Sequence, residues 1–261
     1  MADERWPEAI RHPRWLIIGG APRSGTTLLY NLLKRSPFLA LKNERNLFEQ
    51  ALRDGEQAAA ADYVRLLTPG QMRRVQHLGE KRPEYYEFPL HRCFPSGDVA
   101  IVHLSRRPRD AIGSMIARTR SAQDGQDDRW SPFFTVTDAV DAWLGAWRFA
   151  GARAQDPGFF HLKYEDLIAD PSGQLESIVA WLGIDATRLS CETVVSPPAY
   201  PDLNKFASRH GMRRLESIDN NWQMPLAHLM NRYPATDTWL RAFRRTRRRL
   251  LWWYSVGRKR I

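Results

Sequence analysis

The chain has 261 residues, 43% hydrophobic and 11% aromatic, and its 39 Lys and Arg outnumber 29 Asp and Glu for a net charge of +10. A chain of this length can bury a sizeable core, which excludes a disordered tail protein and a disulfide-stapled miniprotein. At about 150 residues per domain it makes one large domain or two small ones, and we expect a single domain over residues 1–261. The positive charge is compatible with binding to nucleic acid, to an anionic membrane or to a small polyanionic ligand, and net charge alone does not distinguish these partners.

The cysteines and the apolar runs indicate the compartment. Cys93 and Cys191 make neither a disulfide framework nor a metal-binding spacing, as is typical of a reducing compartment. No stretch approaches the ~18 consecutive apolar residues of a transmembrane helix. The charged, proline-broken residues 1–15 lack the apolar run of a signal peptide. We therefore expect a cytoplasmic protein.

The chain opens with a strand, a glycine-rich turn and a helix. Residues 15–19 form a short apolar run that predicts a buried strand, and residues 20–25 form the turn. Residues 26–34 predict a helix whose leucines face a core. This order is typical of the start of an α/β fold.

Strands and helices alternate along the rest of the chain. We predict strands over 75–81, 99–104 and 159–163, helices over 47–66, 108–119, 139–154, 171–182 and about 236–256, and loops over 121–135 and 196–214. The alternation predicts a P-loop-like, three-layer α/β fold with a central parallel sheet flanked by helices.

The turn after the first strand has the residues of a phosphate-binding loop. Ser24, Thr26 and Thr27 supply hydroxyl donors, Gly25 allows close backbone approach, and the start of a helix favours an anion. A nucleotide triphosphatase needs a lysine where Thr26 stands. The strand over 99–104 is followed by no acidic residue to organise Mg²⁺. The loop therefore predicts a phosphate site without the equipment for a γ-phosphate and a metal.

Residues 22–28, Pro-Arg-Ser-Gly-Thr-Thr-Leu, resemble the 5′-phosphosulfate loop of sulfotransferases that use 3′-phosphoadenosine 5′-phosphosulfate (PAPS). The arginine in second position is closer to tyrosylprotein sulfotransferases and many bacterial sulfotransferases than to the cytosolic members, which have lysine there. The resemblance implies PAPS as cofactor, with its 5′ end bound by Arg23, Ser24, Gly25, Thr26 and Thr27.

The resemblance extends to the rest of the cofactor. In the family, an arginine at a strand end and a serine eight residues later bind the 3′-phosphate, and Arg106 and Ser114 have this spacing. Arg107 stands where the family often has aspartate, which leaves open which arginine makes the main contact. Tyr164, in a Tyr-Glu-Asp-Leu segment, matches the tyrosine near the adenine. Ser208 is our candidate in the basic loop that closes the cofactor.

Sulfuryl transfer needs a base for the acceptor proton and cations for the sulfuryl and leaving oxygens. In tyrosylprotein-type enzymes a catalytic glutamate lies 22 residues after the loop proline, and Glu44 lies 22 residues after Pro22. Lys81 lies 25 residues before Arg106, the spacing of the family's catalytic lysine. The resemblance thus implies Glu44 as the base, with Lys81 and Arg23 as cations. No metal is required if these side chains supply the charge.

Other interpretations of the catalytic residues stay open. Glu44 also has the neighbours of a surface glutamate paired with Lys42 or Arg45, and Lys81 those of a solvated lysine. Cytosolic members use a histidine base, but the chain's histidines lie in no recognisable family context; the candidates are His77, His91 and His103.

The acceptor has no signature in the sequence. A small molecule, a glycan, a lipid or a peptide is compatible with it, and the oligomeric state is open. The basic, tryptophan-containing helix predicted at 236–256 either lies on an anionic membrane as a peripheral contact or packs its tryptophans on the domain. The second arrangement is favoured unless the acceptor is linked to lipid.

Two other functions compete with a PAPS-dependent sulfotransferase. One is a P-loop nucleotide kinase or NTPase, against which the missing lysine and acidic strand end argue. The other is a noncatalytic protein that binds nucleic acid or membrane, which only the charge and the tail support. We therefore expect an enzyme of the sulfotransferase class with no nucleic-acid partner.

Overall fold

The computed structural model of the chain describes residues 14–123, 135–184 and 209–223. Within them lies a five-stranded sheet of order β2-β3-β1-β4-β5, in which every pairing is parallel. The strands are β1 (Trp15–Gly20), β2 (Leu39–Asn43), β3 (His77–Lys81), β4 (Val99–Ser105) and β5 (Phe159–Lys163). The predicted α/β fold with a central parallel sheet is confirmed.

Helices connect these strands. They are α1 (Thr26–Leu33), α2 (Leu47–Asp54), α3 (Glu56–Val64), α4 (Pro69–Met72), α5 (Leu90–Cys93), α6 (Pro108–Gln123), α7 (Val136–Ala152), α8 (Tyr164–Ala169), α9 (Pro171–Trp181) and α10 (Arg209–Asp219), with a 3₁₀ turn at Tyr85–Glu87. Every residue of β1 and β3 is buried, as expected for inner strands of a parallel sheet covered on both faces.

The chain divides into two compact units. The sheet unit comprises residues 14–20, 24–105 and 152–184, and its core packs strand residues such as Ile18 and Val102 against helix residues such as Leu29 and Ile178. The helical unit comprises residues 21–23, 106–123, 135–151 and 209–223. In it Arg214 pairs with Asp141 at 2.9 Å. The single domain over residues 1–261 stays a prediction.

The structure differs from the sequence prediction in several elements. The short strand β2 was not predicted, because only its first residues are apolar and buried. α6 continues to residue 123, into the predicted loop, since residues 120–123 contain no glycine or proline. Residues 209–214 were predicted as loop but begin α10, where the buried Leu215 and Ile218 have helical spacing.

Some predictions lie outside the described residues. These are Ser208, Cys191, the basic helix at 236–256 and most of the predicted loops at 121–135 and 196–214. Among the helices that the structure does describe, none is both long enough and apolar enough to cross a bilayer.

Candidate active site

The site residues predicted from the sequence follow the carboxyl ends of the strands, which lie at one edge of a parallel sheet. Lys81 is the last residue of β3, and Glu44 directly follows β2. Arg106 directly follows β4, and Tyr164 directly follows β5. The phosphate loop, residues 21–25, follows β1.

The phosphate loop has the backbone of an anion site. Arg23 (φ 66°) and Gly25 (φ 93°) are left-handed, and between them Ser24 is fully buried. The Ser24 hydroxyl oxygen has no hydrogen-bond partner among the described residues. The loop leads into α1 at Thr26, whose first amides have no intrahelical acceptor. A buried hydroxyl beside these amides fits a tetrahedral oxyanion such as phosphate or sulfate.

Gly25 is required by a close neighbour. A Cβ at this position would overlap with Cδ2 of Tyr164, so the tyrosine ring packs directly on the loop. Sequence reasoning assigned Tyr164 to the adenine; the contact observed within the protein is with the backbone of the phosphate loop.

Glu44, Lys81 and Thr27 form one cluster in the sheet unit. Asn43 and Lys81 are partners in the β2–β3 register, so Glu44 lies one residue beyond this pair. The ammonium of Lys81 forms an ion pair with Oε1 of Glu44 and donates to Oγ1 of Thr27 at 3.3 Å. The Lys81 side chain is 6% exposed, whereas that of Glu44 is 45% exposed. The carboxylate is therefore accessible to solvent, while the ammonium is held inside.

Arg23, Arg106 and Ser114 form a second cluster, in the helical unit. Nε of Arg23 donates to Oγ of Ser114 at 3.0 Å, and Nη1 of Arg106 donates to the carbonyl oxygen of Arg23 at 3.3 Å. Nε1 of Trp143 donates to the carbonyl oxygen of Arg106 at 3.0 Å. Hydrogen bonds thus link Arg106 to the main chain of Arg23, and the side chain of Arg23 to Ser114. Guanidinium and hydroxyl groups are donors suited to a phosphate.

Arg107 is held differently from Arg106. Its guanidinium donates twice to the buried carboxylate of Asp219, at 3.0 and 3.2 Å, and its side chain is 50% exposed. Arg106 is only 5% exposed. Of these two arginines, Arg106 belongs to the cluster with Ser114, and Arg107 is bound to α10.

The buried histidines lack the surroundings of a catalytic base. Nδ1 of His103 lies 2.8 Å from the hydroxyl of Tyr85, and burial lowers the pKa of His103 to about 3, with His161 contributing. Burial lowers the pKa of His77 to about 4. His91 is exposed on α5. None of the three belongs to the Glu44–Lys81–Thr27 cluster.

A family model described as the sulfotransferase family matches residues 48–188, more than half of the chain. The chain belongs to the sulfotransferase family. It is therefore an enzyme that transfers sulfuryl groups, and the predicted family and enzyme class are confirmed. Neither the nucleotide kinase nor the noncatalytic binding protein is favoured. Membership also supports PAPS as the sulfuryl donor.

The individual relatives are distant in sequence. The chain is 25% identical over 205 residues to nodulation protein H of Rhizobium tropici, covering 70% of this chain and 80% of that one. A crystal structure of a sulfotransferase from Alicyclobacillus acidocaldarius is 19% identical, with a TM-score of 0.49 over 80% of this chain and 96% of that one. A mouse sulfotransferase complexed with PAP is 16% identical, with a TM-score of 0.47 over 87% and 69% of the two chains.

Two carboxylates of this sulfotransferase were missed by sequence reasoning. Glu80 is fully buried beside Lys81, and its only signal in the sequence is an acidic residue inside a predicted strand. Asp219 lies in a segment with no family motif, and nothing in the sequence joins it to Arg107. Across the described part of the chain, no group of three or more His, Cys, Asp or Glu side chains is arranged to hold a metal ion.

Proposed function

We propose that this sulfotransferase transfers a sulfuryl group from PAPS to an acceptor hydroxyl or amine, with Glu44 as general base. The observation that carries the proposal is the double contact of Lys81. Its ammonium touches both Thr27, of the phosphate loop, and Glu44. The Lys81 ammonium, as the cation for the sulfuryl oxygens, therefore lies in direct contact with Glu44, the base for the acceptor.

PAPS supplies a sulfuryl group attached to a phosphate leaving group. In an in-line transfer, the acceptor oxygen bonds to sulfur while the bond from sulfur to the phosphate oxygen breaks. Glu44 takes the acceptor proton, because its exposed carboxylate is the part of the cluster that an acceptor reaches. The nearly buried ammonium of Lys81 stabilises negative charge on the sulfuryl oxygens more strongly than it would in water.

The cofactor contacts follow from the two clusters. The buried Ser24 hydroxyl and the start of α1 support binding of the phosphosulfate by Arg23, Ser24, Gly25, Thr26 and Thr27. The guanidinium and hydroxyl groups that Arg23 links in the second cluster support binding of the 3′-phosphate by Arg106 and Ser114. Tyr164 as the adenine contact and Ser208 as a closing contact rest on the family pattern.

The charges of the site suggest that the transfer needs no metal ion. Lys81 and Arg23 supply positive charge at the sulfuryl group and leaving phosphate, the role that a divalent cation has in phosphoryl transfer. We expect chelation with EDTA to leave the transfer rate unchanged. A rate that recovers only when Mg²⁺ is restored would contradict this assignment.

Replacement of the base gives the most direct test. Glu44→Gln keeps the side-chain shape but removes the proton acceptor, so we expect transfer of ³⁵S from labelled PAPS to acceptors in cell extract to fall by about 100-fold or more. Binding of PAP, measured by calorimetry, stays within about twofold, because Glu44 is not assigned a cofactor contact.

Glu49→Gln is the matched control for Glu44→Gln. Glu49 has similar exposure, 41%, and is paired with Arg82 at 2.6 Å, outside the Lys81 cluster. This variant should transfer sulfate at nearly the rate of the unchanged protein. Full activity of Glu44→Gln would remove Glu44 as the base. The same labelling, followed by separation of small molecules, glycans, lipids and peptides, identifies the acceptor class.

The 3′-phosphate site is tested by comparing PAP with nucleotides that lack a 3′-phosphate. PAP should stabilise the protein against heat much more than AMP or ATP with Mg²⁺, because at equal concentration the ligand that binds the native state more tightly stabilises it more. Arg106→Ala should weaken PAP binding by about 10- to 100-fold and leave AMP binding unchanged, since only PAP carries the 3′-phosphate. Equal loss for both nucleotides would show that Arg106 acts on the fold instead.

A further inference from the structure

Glu80 has a buried carboxylate and directly precedes Lys81 of the Glu44–Lys81–Thr27 cluster in the chain. It lies in β3, and its residue exposure is 0%. Its Oε2 accepts a hydrogen bond from the amide of Leu47 at 2.7 Å. Leu47 is the first residue of α2, so the carboxylate of Glu80, on strand β3, caps the start of this helix.

The helix that Glu80 caps begins three residues after Glu44. The connecting turn is strained, because Glu44 (φ 51°) and Asn46 (φ 63°) are both left-handed without being glycine. The amide of Glu44 donates to the carbonyl oxygen of Lys81 at 3.1 Å, which fixes one end of the turn. The bond from Leu47 to Glu80 fixes the other end.

Strained backbone persists only where its surroundings hold it. Asn46 precedes α2 but makes no side-chain cap for it, so within the described structure the cap comes from Glu80. Loss of the Glu80 carboxylate would leave the Leu47 amide buried without this acceptor. The turn could then relax, and the carboxylate of Glu44 would move with it.

The electrostatic surroundings of Glu80 fit a role tied to the helix start. Burial raises the pKa of Glu80 to about 7; the backbone amides of Leu47 and Arg45 and the charge of Arg82 lower it, and Glu49 raises it. Lys42 is the register partner of Glu80 on β2; burial lowers the pKa of Lys42, and the negative charge of Glu80 acts to raise it. Oε1 of Glu80 is buried with no hydrogen-bond partner among the described residues. The ionised form therefore depends on the amides that it caps.

We propose that Glu80 is a positioning residue for Glu44: through the Leu47 amide it holds the turn that sets the base beside Lys81. The inference rests on the proposed function of Glu44 as the base. In this assignment the buried side chain of Glu80 contacts neither PAPS nor the molecule that accepts the sulfuryl group. A buried carboxylate that serves only the stability of the sheet unit would not act on the transfer step.

Two substitutions separate these roles. Glu80→Leu removes the acceptor for Leu47, and Glu80→Gln keeps a neutral, weaker one. We expect Glu80→Leu to lower the rate of ³⁵S transfer from labelled PAPS to cell-extract acceptors by about 10- to 100-fold, because a displaced base is a poor base. The transfer rate of Glu80→Gln should lie between that of Glu80→Leu and that of the unchanged protein. Calorimetric binding of PAP should stay within about twofold in both.

Hydrogen exchange supplies a readout that does not depend on activity. The Leu47 amide should exchange about tenfold faster in Glu80→Leu than in the unchanged protein. The matched control is Glu56→Gln, which alters another buried carboxylate of the sheet unit, bonded to Nε1 of Trp15 at 2.7 Å. It should lower stability without changing the transfer rate or the exchange of Leu47.

A double variant decides whether Glu80 acts through Glu44. Glu44→Gln with Glu80→Leu should transfer at the rate of Glu44→Gln alone, because the base that Glu80 positions is already gone. The inference would be overturned if the double variant lost activity by the product of the two single losses. It would also be overturned if both Glu80 variants transferred at the unchanged rate. If Glu80→Leu does not fold, Glu80→Gln decides by the same comparison. Full activity of Glu44→Gln would instead refute the base assignment itself.

Discussion

Gly25 shows how closely the phosphate loop is fitted to its neighbours. Its φ of 93° disfavours any residue with a Cβ, and the ring of Tyr164 occupies the space that a Cβ would need. The residue is therefore constrained twice, by backbone conformation and by space. A substitution here should affect the anion site as well as the stability of the fold.

Gly25→Ala should weaken PAP binding by about tenfold or more, because the loop must move to relieve the clash with Tyr164. The control is Gly97→Ala, which has a φ of 77° but open space around its Cβ. That variant should lose about 1–2 kcal/mol of stability through backbone strain and keep its affinity for PAP. Calorimetry and thermal denaturation measure the two effects. Equal PAP affinities in both variants would show that the tyrosine contact is unimportant.

At the scale of elements, the start of α6 is capped by α10. The carboxylate of Asp219 is 4% exposed and accepts from the Arg109 amide at 3.1 Å, while it pairs with the Arg107 and Arg109 guanidiniums. One side chain thus satisfies an amide of the first turn and offsets two positive charges. The helix that carries Ser114 depends on this long-range cap.

Asp219→Ala should lower the free energy of unfolding by about 1–2 kcal/mol, as expected when a helix cap is lost. Urea denaturation measures the change. Asp54→Ala, which removes an exposed carboxylate paired with Arg53, serves as control and should change stability little. If the two variants are equally stable, the contacts of Asp219 do not stabilise α6.

At the scale of the whole molecule, buried neutral histidines make stability depend on pH. The pKa of His103 is lowered to about 3 and that of His77 to about 4 by burial, whereas an unfolded histidine titrates near 6.5. Between these values the unfolded chain binds more protons than the folded one, so acid favours unfolding. Stability is full above pH 6.5 and is lost as the pH falls towards about 4.

The free energy of unfolding should decrease by up to about 1.4 kcal/mol per pH unit for each such histidine below pH 6.5. His103→Gln should flatten this slope, because glutamine does not titrate and still bonds with Tyr85. His91→Gln, at an exposed position, is the control variant. Urea denaturation at several pH values measures the slopes, and identical slopes in both variants would contradict the role of His103.

The parts of the fold that could be predicted are those that depend on a pattern of residues close together in the sequence. β1, the phosphate loop and α1 were recognised because an apolar run, a glycine turn and a helical leucine pattern follow one another. β2 was missed because a five-residue edge strand carries too few apolar positions. Its strand character depends on the register with β3, which no local pattern records.

The same distinction applies to the candidate site. The spacing of Glu44 and Lys81 pointed to a pair that the structure does bring into contact. The functions of Glu80 and Asp219 rest on contacts with Leu47 and Arg109, which are 33 and 110 residues away along the chain. Long-range hydrogen bonds of this kind leave no local periodicity, so a single sequence does not reveal them.

The position of the site residues at the strand ends makes the two edges of the sheet unequal towards insertions and deletions. One residue added after Gly97, before β4, can be absorbed by the connection, because nothing lies within 4 Å of the position that a Cβ of Gly97 would take. One residue added within β3 would turn the side chain of Lys81 to the opposite face of the sheet. Loop grafting and random insertion libraries should therefore recover active variants from the amino edge and almost none from the last residues of the strands.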